Sequence, residues 1–200
     1  MDKFAASSLP GFDAPVDRSQ QVFRAVLDAF AHPGRIVAVT GPAEVPVPLL
    51  PASAAVCLSL ADFETPLWLD PAAQASGGAA SYLRFHCGCP FTDGPAEAAF
   101  ALIADPAAWP GFEAFRLGSD SHPEDGATVI LQVPALRDDE GIRLSGPGIE
   151  RQHRLHVDDL SETFWAERAR LSELFPRGID LVFASADRIA AIPRSTRVEV

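Results

Sequence analysis

Asp17–Thr40 reads DRSQQVFRAVLDAFAHPGRIVAVT, and the change of pattern inside it decides the fold class. Val22, Phe23, Val26, Leu27 and Phe30 recur at three- and four-residue intervals, which places them on one face of a helix spanning residues 17–31. Asp17 is positioned to cap that helix, with Gln20 three residues on, and His32-Pro33-Gly34 stops it. Proline lacks the amide hydrogen a helix needs, and glycine accepts left-handed backbone. Arg35–Thr40, RIVAVT, then reads as a buried strand. A helix followed directly by a strand predicts a layered α/β domain.

The same signals extend outward. Gly41–Pro51 is too proline-rich for a backbone ladder and reads as a loop, while Pro51–Ala61 resumes as a helix of small residues. Leu67-Trp68-Leu69 is a short strand, Asp70–Ala80 a mobile surface connection, and Ser81–His86 a short helix. Strands are predicted at Ala99–Ile103, Ala127–Val133 and Ile142–Ser145. Asp159–Phe175 is a helix with Leu160, Phe164, Leu171, Leu174 and Phe175 on its apolar side, followed by strands at Ile179–Ala184 and Arg188–Ile192. Elements alternate early and strands cluster late, which favours a mixed sheet over a purely parallel one. One domain over residues 1–200 is expected, with residues 1–15 a flexible N-terminal segment.

Composition excludes several functions. A net charge of −11 opposes nonspecific binding to nucleic acid or anionic membrane. No apolar run is long enough to span a bilayer, the N-terminus MDKFAASSLPGF lacks signal-peptide character, and three cysteines suit a reducing cytoplasm. Fifteen of the sixteen cationic residues are arginine, and Lys3 is the only lysine. That removes the GxxxxGK[ST] phosphate loop and leaves no internal lysine for a pyridoxal phosphate Schiff base. The arginine excess can equally reflect genomic base composition.

Few residues invite a chemical reading. His86, Cys87 and Cys89 combine imidazole and thiols, but Cys-Gly-Cys lacks a partner ligand pair for zinc, so no metal is expected and the thiols read as small buried side chains. Gly146-Pro147-Gly148 reads as a turn, since the proline removes a donor from any phosphate-binding nest. His153-x-x-His156 with Asp158 and Asp159 has metal-ligand residue types, yet RQHRLHVDD looks like a solvated segment with Asp158 capping the next helix. His32 and His122 each precede proline and fit turns. Arg84, Arg194 and Arg197 are the candidate anion or subunit contacts, because guanidinium can grip a phosphate or phosphonate through two parallel hydrogen bonds.

FRAVLDAFAHPGRIVAV (23–39), SLADFETPLWL (59–69), LRFHCGCPF (83–91), PEDGATVILQV (123–133), LSGPGI (144–149), FPRGIDLVF (175–183) and AIPRSTRVEV (191–200) occur in an order and spacing that resemble the bacterial phosphonate-metabolism family of carbon-phosphorus lyase H subunits, the PhnH family. The resemblance implies a three-layer α/β/α sandwich similar to pyridoxal-phosphate-dependent transferases but without the cofactor. It implies association with the G, I and J subunits of that lyase system, and a homodimer when isolated. The pathway it implies joins the ribose triphosphate moiety of ATP to an alkylphosphonate, with loss of adenine. It supplies no catalytic residue, although it carries Arg84 and His86 more convincingly than either neighbouring cysteine.

Three functions follow as expectations. The first is an assembly or binding subunit. The second is an independent hydrolase or transferase using the His86/Cys87 region, and the third is a ligand-binding regulator on a vestigial cofactor fold. The terminal IPRSTRVEV suits either a last strand or a partner contact, with Val198 and Val200 expected to hold the fold and Arg194 to serve the assembly.

Overall fold

The computed structural model describes residues 9–199; Lys3, the first eight residues of the expected flexible segment and Val200 lie outside them. Residues 9 and 10 are tied down. Their carbonyls accept from His86 Nε2 at 3.0 Å and the Tyr82 hydroxyl at 3.1 Å.

The first helix, α1 (Pro15–Ala31), begins two residues before the expected start, with Ala14 as N-cap and Pro15 in the first turn, so Asp17 is not its cap. Proline at this position costs no hydrogen bond, because the first amides of a helix have no internal acceptor. The buried face is also rotated: Val22, Val26 and Ala29 face inward, while Phe23 and Leu27 are 45% and 51% exposed. The expected buried strand at 35–40 shrinks to β1 (Val37–Ala38), a half-exposed edge with one neighbour.

Helix α2 (Pro51–Leu60) is buried along Ala52–Cys57, and β2 (Leu67–Leu69) stands as expected. The stretch expected to be a mobile connection is instead α3 (Pro71–Ala75) and the start of α4 (Gly78–Cys87). Asp70, fully buried, caps α3 by accepting from Ala73 N at 3.0 Å, and also accepts from Asp105 N at 3.0 Å. That capping signal in Asp70-Pro71 outweighed the glycine and serine content.

The main sheet continues with β3 (Phe100–Ile103) and β4 (Thr128–Gln132). A long β5 (Leu136–Ser145) then meets β6 (His153–Val157), and α5 (Glu162–Leu171) precedes β7 (Asp180–Ala184), β8 (Arg188–Ile192) and β9 (Arg197–Glu199). Two expectations are corrected here. Residues 153–157 form a strand where a solvated segment was expected, and α5 is capped by Ser161, whose hydroxyl accepts from Phe164 N at 3.1 Å, not by Asp158. Leu174 and Phe175, expected on its apolar side, are 37% and 60% exposed in and after a single 3₁₀ turn.

A six-stranded sheet runs β1-β8-β7-β4-β3-β2, parallel from β2 through β7 and antiparallel at β7-β8 and β8-β1. Both faces are covered. Leu102, Ile130 and Val182 pack toward α1, α2 and α4, whereas their neighbours Ile103, Leu131 and Phe183 pack toward the opposite layer. Side chains alternate across a strand, so a strand buried on both faces must be apolar at every position, which is why these runs show no alternation. The opposite layer is not purely helical. It combines α5, the aromatic loop carrying Trp109, Phe112 and Phe115, and a three-stranded antiparallel sheet ordered β6-β5-β9.

Candidate functional site

Three of the quoted segments, LSGPGI, FPRGIDLVF and AIPRSTRVEV, converge on one cleft of about 490 Å³. Its walls are the end of β5 at Ser145, the Gly146-Pro147 turn, Ser172 and Phe175 after α5, Arg194 and Ser195 between β8 and β9, and Arg197 at the start of β9. The turn expected at 146–148 is present, with Ile149 N donating to Gly146 O at 3.1 Å. Gly148, at φ +83°, lies against the Ala31 carbonyl at the end of α1, where a Cβ would collide. Glycine is required there for space as well as for its backbone angle.

The cleft unites two of the three candidate arginines in different states. Arg194 is locked: its side chain is 15% exposed, its Nη2 lies 2.6 Å from Asp180 Oδ2, and it also donates to the Pro123 and Gly126 carbonyls. These bonds make it an intradomain strut. Arg197 is exposed and forms no ion pair among the described residues. Beneath both lies Arg168, a residue that sequence reasoning missed. Its guanidinium is fully buried and donates to Ser172 Oγ at 3.0 Å, Pro193 O at 2.7 Å and Thr196 O at 3.2 Å, with no carboxylate at ion-pair distance among the described residues. Burial lowers its pKa to about 10, which leaves it charged at neutral pH. A signal existed in the sequence: Arg168 falls at helical spacing from Phe164, Trp165 and Leu171, on the apolar stripe of α5.

The other candidates lie elsewhere. Arg84 is exposed on α4 with its guanidinium 4.9 Å from the centre of the Phe91 ring. His86 holds the Leu9 carbonyl and packs against Tyr82, and no hydrogen bond joins it to Cys87. Cys57, thirty residues before Cys87, meets Cys87 and Cys89 between α2 and the end of α4. Cys87 Sγ donates to the Cys57 carbonyl at 3.6 Å; the neighbouring Cys89, together with burial, pushes the Cys87 thiol up, while Cys87 in turn holds Cys89 down, and burial raises Cys57 to about 12. No His, Cys, Asp and Glu cluster suited to a metal occurs among the described residues.

The His153-x-x-His156 pattern is divided by its strand. Positions three apart on a strand point to opposite faces, so His153 lies against Gly34 while His156 pairs with Asp158 at 3.0 Å in a different cavity. They cannot share a metal ion. His32 and His122 sit in local pairs with Asp28 at 3.0 Å and Glu124 at 3.2 Å.

Comparison with known proteins adds full-length relatives. Residues 10–199 match the family described as bacterial phosphonate metabolism protein (PhnH). A Rhizobium meliloti protein, alpha-D-ribose 1-methylphosphonate 5-triphosphate synthase subunit PhnH, is 38% identical over 188 residues, 94% of each chain. HtxG, a provisionally named C-P lyase subunit protein of Stutzerimonas stutzeri, is 32% identical over 187 residues, covering 92% of this chain and 87% of the relative.

Proposed function

The chain belongs to the bacterial phosphonate metabolism protein (PhnH) family, and from that premise we propose that it is a subunit of a phosphonate-activating enzyme complex of the carbon-phosphorus lyase system. In this reading it assists transfer of the ribose triphosphate moiety of ATP to an alkylphosphonate, as an assembly or binding component that is not catalytic alone. The observation that carries the proposal is the extent of the match, 94% of both chains with the R. meliloti subunit, so the shared unit is the whole domain and not one motif.

The proposed partners are the G, I and J subunits, with a homodimer as the isolated form and the cytoplasm as the location. A kinship of the central sheet with pyridoxal-phosphate-dependent transferases, stripped of the cofactor, belongs to the same proposal. Arg84 and the exposed Phe85 beside it are offered as part of the partner surface. Deleting the gene and supplying an alkylphosphonate as the only phosphorus source tests the role, with complementation by this chain and copurification of the other subunits as readouts. Normal growth of the deletion strain, in a host with no second phosphonate route, would refute it.

A further inference from the structure

The cleft bounded by Ser145-Gly146-Pro147, Ser172 and Arg194–Arg197 is an electrostatic exception in a chain of net charge −11. Two arginines and three serines line it, and no lining residue is acidic. With Arg168 beneath, three guanidinium groups lie at the cleft, and the one carboxylate at ion-pair distance from any of them among the described residues, Asp180, is already committed to Arg194. A buried cation without a carboxylate partner is costly, and an anion in the cleft would supply the missing charge.

The hydrogen bonds give the site direction. Arg168 Nη1 donates to Ser172 Oγ and so engages one of its lone pairs, which turns the hydroxyl proton away from Arg168. That proton's internal acceptor, the Thr196 carbonyl, is a distant 3.5 Å away. Asp180 and the Pro123 and Gly126 carbonyls pre-orient Arg194, whereas exposed Arg197, with no ion pair among the described residues, can close over a ligand. Ser172 and Arg197 therefore offer donors from two walls, beside an Arg194 whose donors are largely taken by Asp180, Pro123 and Gly126, an arrangement suited to an oxyanion that accepts from more than one direction, as a tetrahedral one does. The volume of about 490 Å³ is that of a small-molecule site.

We infer that this cleft binds the tetrahedral oxyanion group of a small molecule, a phosphate ester or a phosphonate, with Ser172 and Arg197 as direct donors and Arg168 as the positioning residue behind them. The inference goes beyond the assembly role and does not depend on it.

Isothermal titration of the full chain at low salt, with inorganic phosphate, methylphosphonate and acetate as probes, tests it. Phosphate or methylphosphonate is expected to bind, the tighter of the two indicating the source of the group, with acetate weaker. Arg197→Ala should weaken binding by about tenfold or more, the loss expected for a charge-assisted contact, without a change in melting temperature. Ser172→Ala should weaken it less, and Arg151→Ala, in a different cavity, should leave it unchanged. Absence of binding at tens of millimolar overturns the inference, as does undiminished binding by both Arg197→Ala and Ser172→Ala, or acetate binding as tightly as phosphate. Such a failure would leave the copurification test of the assembly role untouched.

Discussion

Replacing Arg168 with methionine keeps most of the side-chain volume while removing the charge and every donor. Ser172 Oγ, Pro193 O and Thr196 O each then lose a charged donor, and Pro193 O keeps only the Thr196 amide and Thr196 O only the long contact with Ser172 Oγ. Hydrogen bonds from a charged donor contribute about 1.5–3 kcal/mol each, so the loss is roughly 4–9 kcal/mol. Against it stands relief of the penalty for burying a guanidinium with no carboxylate, itself several kcal/mol. The carbonyls should decide the balance, because the Pro193–Thr196 connection cannot turn them to solvent without releasing β9 from β5. A net loss of about 3 kcal/mol is expected, which for a chain of this length lowers the melting temperature by roughly 6–12 °C. Thermal unfolding followed by circular dichroism measures it. Burial lowers the Arg168 pKa only to about 10, so folded and unfolded chains both carry this charge across roughly pH 6–9. The proton count of the group is the same in both states there, and the deficit should be independent of pH in that window. A methionine variant that melts at or above the wild-type temperature would refute the reasoning, since the buried charge would then be a cost that its hydrogen bonds do not offset.

Arg194→Ala should also lower the melting temperature, by an amount corresponding to roughly 2–4 kcal/mol, because it leaves the Asp180 carboxylate, whose side chain is only 20% exposed, without its cation and with the backbone amide of residue 194 as its remaining donor; an unchanged melt would show the ion pair to be energetically idle. Val198→Ala removes two methyl groups packed at the β5-β9 register opposite Leu144 and should cost about 2 kcal/mol by denaturant titration, with no loss meaning that β9 is dispensable. Purified chain is expected to contain neither pyridoxal phosphate nor stoichiometric zinc, and Cys87→Ser to remain folded; an aldimine absorption band, or zinc surviving dialysis in wild type and lost in Cys87→Ser, would contradict this.

The legible parts of the fold were those whose pattern is local. Leu67–Leu69 and the runs at 127–133 and 179–184 are short, apolar and rich in β-formers, and each appears as a strand within a residue of its expected limits. Failures came where a local rule had a long-range competitor. RQHRLHVDD carries too many polar residues to read as a strand, yet it forms β6 because Leu136, Ile142 and Leu144 of β5 offer it an apolar edge to pair with. The 70s read as mobile because alanine, glycine and serine dominate, although Asp70 is buried where it can cap α3 and bind the Asp105 amide together.

Sequence alone determined the α/β class, the mixed sheet, the presence of Lys3 as the only lysine and the resemblance to a family, because these depend on residue type, period and order along the chain. Tertiary structure alone assembled the cleft. Ser145, Ser172, Arg194 and Arg197 lie on separate elements, and only the packing of α5 and the small sheet on one face of the main sheet brings them to a single cleft. The same packing settled which arginine is a strut, which is exposed and which is buried. Charge and burial are properties of neighbours in space, and the periodicity that placed Arg168 on an apolar stripe could not say which carbonyls would be waiting there.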